Sequence, residues 1–253
     1  MPEPVVDILM YHSISQADGA TSISPDIFAA QMAAIHEAGV PVITMDDYLA
    51  AREGALTLGD YSIIITFDDG FRDFCQCAWP VLSELGFRPI VYLHTDAIGR
   101  EEAWVGAHQP QRQLMSWHEI CCLHGKGVLF GSHTVSHANL NIVSDETVGL
   151  ELNVSSQHLT DHLGEKPLHF APPYGLASKG VRDAIAKEYK TSVGTRLGSA
   201  GLTDDIMDLP RLEMYYFSDL KRWRAHLDGR GAGYLRTRKM LRSVRQSVLS
   251  PWN

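Results

Sequence analysis

The chain has 253 residues, 45% of them apolar and 21% charged, with a formal net charge of -8. That length and apolar content can bury a large core, and no stretch of 18 apolar residues suggests a membrane span. Residues 1–7 have neither the basic region nor the apolar region of an export signal, so the expectation is a soluble cytoplasmic protein. The charge is unevenly placed: residues 221–253 hold nine Lys/Arg against the single acid Asp228, which makes this tail +8 and the rest of the chain -16. With an acidic body and nothing that resembles a nucleic-acid module, nucleic acid is not expected as a partner.

Val5 to Met10 reads as a first strand that delivers Tyr11-His12-Ser13 to its C-terminal end. Ser24-Pro25-Asp26 opens a helix with a Ser cap and Pro in the first turn; Phe28, Met32, Ile35 and Ala38 follow at helical spacing, and Gly39 ends it. Val40 to Thr44 reads as a short strand and Asp46 to Arg52 as a short helix, with Gly59-Asp60 turning into the next strand. Tyr61 to Phe67, with three Ile in succession, has the continuous apolar run of a strand buried on both faces. It ends in Asp68-Asp69-Gly70. Adjacent ionised carboxylates repel unless a cation or a hydrogen-bond network holds them.

Phe71 to Leu85 carries a helical pattern closed by Gly86, and Pro89 to Leu93 is the next strand, with His94 and Thr95 as pocket candidates at its end. The segment Ala97 to Leu114, which includes Trp104, is long enough either to cover a site or to form a mobile excursion. Ser116-Trp117-His118-Glu119 is a capping box. Val128 to Ser132 is a strand that runs into His133-Thr134-Val135-Ser136-His137, where two His four apart on one helical turn can reach one cation. With one of the two Asp they form a facial three-ligand set with open positions, a catalytic rather than a structural metal site. Asp145 to Leu163 is an amphipathic helix. Leu168 to Phe170 is a strand that leads into Ala171-Pro172-Pro173-Tyr174-Gly175, and Leu209-Pro210-Arg211-Leu212 belongs to a last strand. Tyr234 to Leu249 is a basic amphipathic helix, with Tyr234, Leu241, Val244 and Val248 as its apolar stripe; it suits an anionic membrane, an acidic partner or the chain's own acidic body. Cys75, Cys77, Cys121 and Cys122 lack zinc-ribbon spacing and read as reduced, mostly buried thiols inside helices.

Three blocks, Thr66-Phe67-Asp68-Asp69-Gly70, Ser132 to His137 and Phe170 to Gly175, together resemble the motifs of the polysaccharide deacetylases, the NodB-homology carbohydrate esterases. The resemblance spans roughly residues 5 to 215. It implies an α/β fold, the distorted (β/α) barrel of the NodB type, over residues 1–220, with residues 221–253 as a basic C-terminal helical extension. It also implies a metal-dependent hydrolase that removes the N-acetyl group of an N-acetylated glycan, polymeric or lipid-linked, with water on the metal as nucleophile. In that scheme Asp69, His133 and His137 hold the divalent metal and Asp68 is the base. Zinc comes first on ligand type, with iron, cobalt and nickel as alternatives. The Tyr174 backbone N–H would bind the oxyanion. His12 would be the acid, because the first strand ends in Tyr-His as in poly-N-acetylglucosamine deacetylase-type members.

Two departures stand out. The Arg that pairs with the catalytic Asp in the third motif is Ala171 here, and Arg211 is the candidate to supply that guanidinium from another strand. The family's last motif, Leu-x-Leu-x-His, is missing; the only His after residue 190 is His226, in a basic helical context, which ranks it behind His12. The loss at Ala171 keeps open a catalytically weak carbohydrate-binding barrel, and a nucleotide sugar or non-sugar N-acyl substrate is a further alternative. The basic tail, residues 221–249, suggests peripheral contact with an anionic membrane at the inner face.

Overall fold

The computed structural model describes residues 3–104 and 106–248, with side chains through residue 242. Leu249, and the side chains of Val244 and Val248 in the expected apolar stripe, lie outside the described residues and side chains. Seven strands close a parallel barrel in the order β1 (Val5–Tyr11), β4 (Tyr61–Phe67), β5 (Ile90–Leu93), β6 (Leu129–Ser132), β7 (His169–Phe170), β8 (Thr191–Leu197) and β9 (Leu209–Glu213), which returns to β1. The small parallel pair β2 (Ser13–Ile14) and β3 (Ser22–Ile23) lies apart from it. The expected distorted (β/α) barrel is therefore present. Its distortion is concentrated at β7, which has two residues and meets β6 through the pair Ser132↔Phe170.

Alternation in the central strands explains their uninterrupted apolar sequence. Leu9, Tyr11, Ile63, Ile65 and Phe67 enter one buried cluster, whereas Val6, Ile8 and Ile64 enter another with Tyr92 and Val193. Successive side chains point to opposite faces, so only a strand covered on both faces needs apolar residues at every position. β1 and β4 pair without a break from Val5↔Tyr61 to Tyr11↔Phe67, and Met10 stands level with Glu213 of β9. This register delivers His12, Asp68 and the end of β9 to one rim.

Among the described residues there are eight α-helices: α1 (Pro25–Glu37), α2 (Met45–Arg52), α3 (Trp79–Glu84), α4 (Trp117–His124), α5 (Asp145–Leu163), α6 (Lys179–Glu188), α7 (Leu220–Leu227) and α8 (Ala232–Val248). Ser24 caps α1, and complete capping boxes start α2 (Thr44/Asp47) and α4 (Ser116/Glu119). The α7 helix is anchored by the buried Trp223, whose indole donates to the Gln31 carbonyl at 3.1 Å. In α8 the Tyr234 hydroxyl donates to the Tyr216 carbonyl at 2.7 Å.

Three local expectations change. The strand expected over Val40 to Thr44 is reduced to a single bridge, Val42↔Ile63. The helix expected over Phe71 to Leu85 starts as a turn and a π-helical segment, Phe74–Ala78, before α3. Pro80 has no N–H to donate to the carbonyl four residues back, so a regular α-helix cannot run through the junction. All four Cys are free thiols, but Cys121 and Cys122 are exposed, because α4 turns Ile120 and Leu123 inward.

Candidate active site

The β4 strand ends in a tight, strained turn. Asp69 has φ 71° and Gly70 φ 76°; a Cβ on Gly70 would stand 2.5 Å from Leu93 Cδ2, so only glycine fits. The Asp68 N–H donates to the Tyr11 carbonyl at 2.9 Å, continuing the β1–β4 ladder past the strand end. Arg211 of β9, 1% exposed, meets the Asp68 carboxylate in a fork: Nη1 donates to Oδ1 and Nη2 to Oδ2, each at 2.7 Å. The guanidinium also donates to Thr66 Oγ1 at 3.1 Å and to the Gly194 carbonyl at 2.9 Å. Burial pushes the Asp68 carboxyl up, but the charge and hydrogen bonds of Arg211 outweigh it and leave the group below the usual Asp range. Asp68 is thus paired with a guanidinium that comes from β9.

The two His do not lie on a helix. His133 to His137 is a loop in which Thr134 (φ 72°) and His137 (φ 60°) are left-handed. This corrects the helical-turn reading: four-residue spacing brings both rings to one point through these reversals instead. Glu151 on α5 fixes the loop, with Oε2 accepting from the Val135 and Ser136 N–H groups at 2.7 and 3.0 Å and Oε1 from Ser136 Oγ at 2.6 Å. His133 Nδ1 faces the Ala171 carbonyl at 2.6 Å and must donate to it, which leaves the lone pair of Nε2 free to bind a cation.

Nε2 of His133 and of His137 stand 3.4 and 3.3 Å from Asp69 Oδ1. Two ligands each about 2.1 Å from a tetrahedral ion are ~3.4 Å apart, so this spacing fits a shared cation. Together the three side chains form a buried group whose donor atoms all lie within 4.8 Å of one another. Burial raises the Asp69 carboxyl, yet the hydrogen bonds of His133 and His137 hold it well below its ordinary value; burial itself pulls His137 down. The donor set, one carboxylate and two imidazoles, suits zinc and equally iron, cobalt or nickel.

A cavity of about 220 Å³ opens onto these groups and is also lined by His12, Trp104, Tyr174, Glu213 and Arg242. His12 Nε2 lies 3.9 Å from Asp68 Oδ2. Tyr174 has φ 61° and sets its ring 4.9 Å from that of His137. His226 is elsewhere: its Nε2 is 2.6 Å from the buried Asp7, five residues back along β1 from His12, or ~16 Å at strand spacing. It takes no part in this site, because α7 runs back toward the opposite end of the barrel. The segment from Ala97 to Leu114 is pinned by the Glu102–Arg112 pair at 2.6 Å and covers the site, with the Trp104 ring 4.7 Å from both His94 and His137. Burial lowers His94 to about 3, so it packs as a neutral ring.

Sequence reasoning missed Glu151, Glu213 and Arg242. Glu151 sits on the buried face of α5 with Val148, Leu152, Ser155 and Leu159, and a carboxylate at that spacing is a signal for a buried partner. Glu213 follows Arg211 by two residues, hence on the same strand face. Arg242 gave no such signal, since its helix reads as a surface element.

A family model described as polysaccharide deacetylase matches residues 56–192. Among curated proteins, YxkH of Bacillus subtilis (strain 168), assigned by name as a polysaccharide deacetylase, is 26% identical over 216 residues, which is 82% of this chain and 70% of that protein. Among solved structures, the Streptococcus pyogenes deacetylase PplD in complex with acetate superposes with a TM-score of 0.72 at 22% identity, covering 83% of this chain and 92% of that one. IcaB from Ammonifex degensii superposes at 0.75 and 20% identity, covering 90% and 98%. At these identities the structural matches establish the shared barrel.

Proposed function

From the premise that the chain belongs to the polysaccharide deacetylase family, the NodB-homology enzymes, we propose that it hydrolyses the N-acetyl group of an N-acetylated sugar in a polysaccharide or lipid-linked glycan, using a divalent metal held by Asp69, His133 and His137. The observation that carries this reading is the forked Arg211–Asp68 pair beside the Asp69/His133/His137 set. When bound, a divalent cation would polarise the amide carbonyl and acidify water.

The chain's own groups then divide the proton work. Asp68, kept ionised and oriented by Arg211, takes the proton of the attacking water. The tetrahedral oxyanion is met by the Tyr174 backbone N–H. His12, across the cavity from Asp68, gives a proton to the departing amine as the C–N bond breaks, leaving acetate and a free amino sugar. Trp104 and the loop that carries it limit water around the reacting amide. Zinc is the first choice of metal, with iron, cobalt or nickel as substitutes.

The catalytically weak binding-barrel reading drew on the absent Arg at position 171; the Arg211 guanidinium beside Asp68 supports the catalytic reading over it. An N-acyl substrate that is not a polymer uses the same groups and is decided by the same assay. Acetate release is measured from a panel of N-acetylated glycans with protein as purified, after chelation, after zinc restoration, and in Asp68→Asn. The proposal expects release that follows the metal and is lost in the variant. Bound metal with no release from any glycan would sink it.

A further inference from the structure

Beside the metal-site cavity lies a second cleft of about 560 Å³, bordered by Asn141, Arg182, Arg196, Asp208, Lys239 and Arg242. Both clefts are also lined by Gly175, Thr195 and Arg242, so they meet directly next to Tyr174. The sill between them is closely packed, because a Cβ on Gly175 would stand 2.3 Å from Thr195. A glycan lying across it would place one sugar at the metal site and its neighbour in the second cleft.

The charges of this cleft are not equivalent. Arg196 is held by Asp204 at 3.2 Å and Asp208 at 3.8 Å, and Arg182 by Asp205 at 3.4 Å. Lys239 and Arg242, one turn apart on α8, make no hydrogen bond or ion pair among the described residues. Lys239 reaches in over β8, its Nζ 3.1 Å from where a Gly198 Cβ would stand. Glu213, across the junction, feels the charge of Arg242, but its burial dominates and leaves the carboxyl above the usual Glu range. A body carrying -16 repels anions at long range. Two cations outside any ion pair among the described residues, at the mouth of such a site, therefore point to an anionic group on the ligand rather than to general charge balance.

We propose that Lys239 and Arg242 form a subsite for an oxyanion, a carboxylate or a phosphate, on the sugar next to the one that is deacetylated. The inference deepens the deacetylase reading and rests on it: the substrate is an anionic N-acetylated glycan, and α8 is part of the binding cleft. Arg presents a fork that matches either oxyanion, and Lys adds a second point charge beside it.

The test uses glycan pairs that differ only in charge. Heparosan tetrasaccharide is compared with its carboxyl-reduced form, and chitotetraose 1-phosphate with chitotetraose. Binding is measured with zinc present in Asp68→Asn, or in His12→Gln if the first variant does not fold, and acetate release is measured in the otherwise unaltered protein. One charged member should bind at least ~10-fold more tightly than its neutral partner, and that ratio should shrink toward unity in Lys239→Ala/Arg242→Ala and in high salt. Which pair shows the preference identifies the oxyanion. Equal binding within both pairs, or a preference that survives the double substitution, would overturn the subsite. So would a double variant that keeps the glycan preference and loses only binding to phosphatidylglycerol vesicles, since α8 would then face lipid. A charge preference without acetate release from any glycan would overturn the deacetylase reading instead.

Discussion

Replacing Arg211 by Met keeps most of the side chain's volume and removes the charge that faces Asp68. Four hydrogen bonds disappear, two of them the 2.7 Å bonds to the carboxylate, in a place where the arginine is 1% exposed. An unpaired buried carboxylate costs about 3–5 kcal/mol when its partner is removed. Asp68 has an escape, which is to take a proton, and for an ordinary Asp at about pH 7 that costs ~4 kcal/mol. The expected loss is therefore about 3–4 kcal/mol at neutral pH. In the wild type the folded Asp68 pKa lies below the unfolded value, so its contribution is present above the unfolded pKa and disappears as the pH falls through the folded one. The gap between wild type and Arg211→Met should accordingly narrow to ~1.5 kcal/mol at about pH 5. Urea unfolding at the two pH values reads this directly, and the acid limb of the activity profile should move up in the variant. A stability loss that is the same at both pH values would refute the reasoning. So would Asp68→Asn/Arg211→Met losses that simply add.

Glu151→Leu should weaken metal affinity by about 10–100-fold, because the loop that carries both His loses its anchor; titration of the metal-free protein checks it. His12→Gln should lower kcat by about 10²–10⁴-fold with the melting temperature unchanged, whereas His226→Gln should do the reverse, lowering stability through Asp7 and sparing kcat. Glu213 titrates higher in the folded chain than in the unfolded one because it is buried, so it withdraws stability as the pH rises from the unfolded value through the folded value. Glu213→Gln should therefore melt higher than wild type near neutral pH and no higher near pH ~4; a Tm advantage independent of pH would contradict this.

Much of the barrel was legible because its strands obey a simple rule. The run Tyr61 to Phe67 is apolar at every position, which only a strand covered on both faces requires, and the carboxylates at its end announce the rim. Placing Arg211 needed more than its own strand pattern: nothing local to Leu209–Glu213 says which residue it faces, and the β1–β9 and β8–β9 register decides it. The His133–His137 loop was misread as helical because spacing alone cannot separate a helical turn from two left-handed residues. Arg242 escaped for a different reason. The pattern of α8 reports which face is polar, and the neighbouring cleft exists only once β8 and the Tyr174 turn are folded.

The most direct test of the proposed function is to titrate metal-free protein with zinc while following bound metal and acetate release from a responsive N-acetylated glycan together. The expected result is activity that rises in proportion to occupancy and levels off at about one ion per chain, the capacity of the single Asp69/His133/His137 set among the described residues. Activity that is full before any metal binds, or that stays absent once the site is filled, would contradict it.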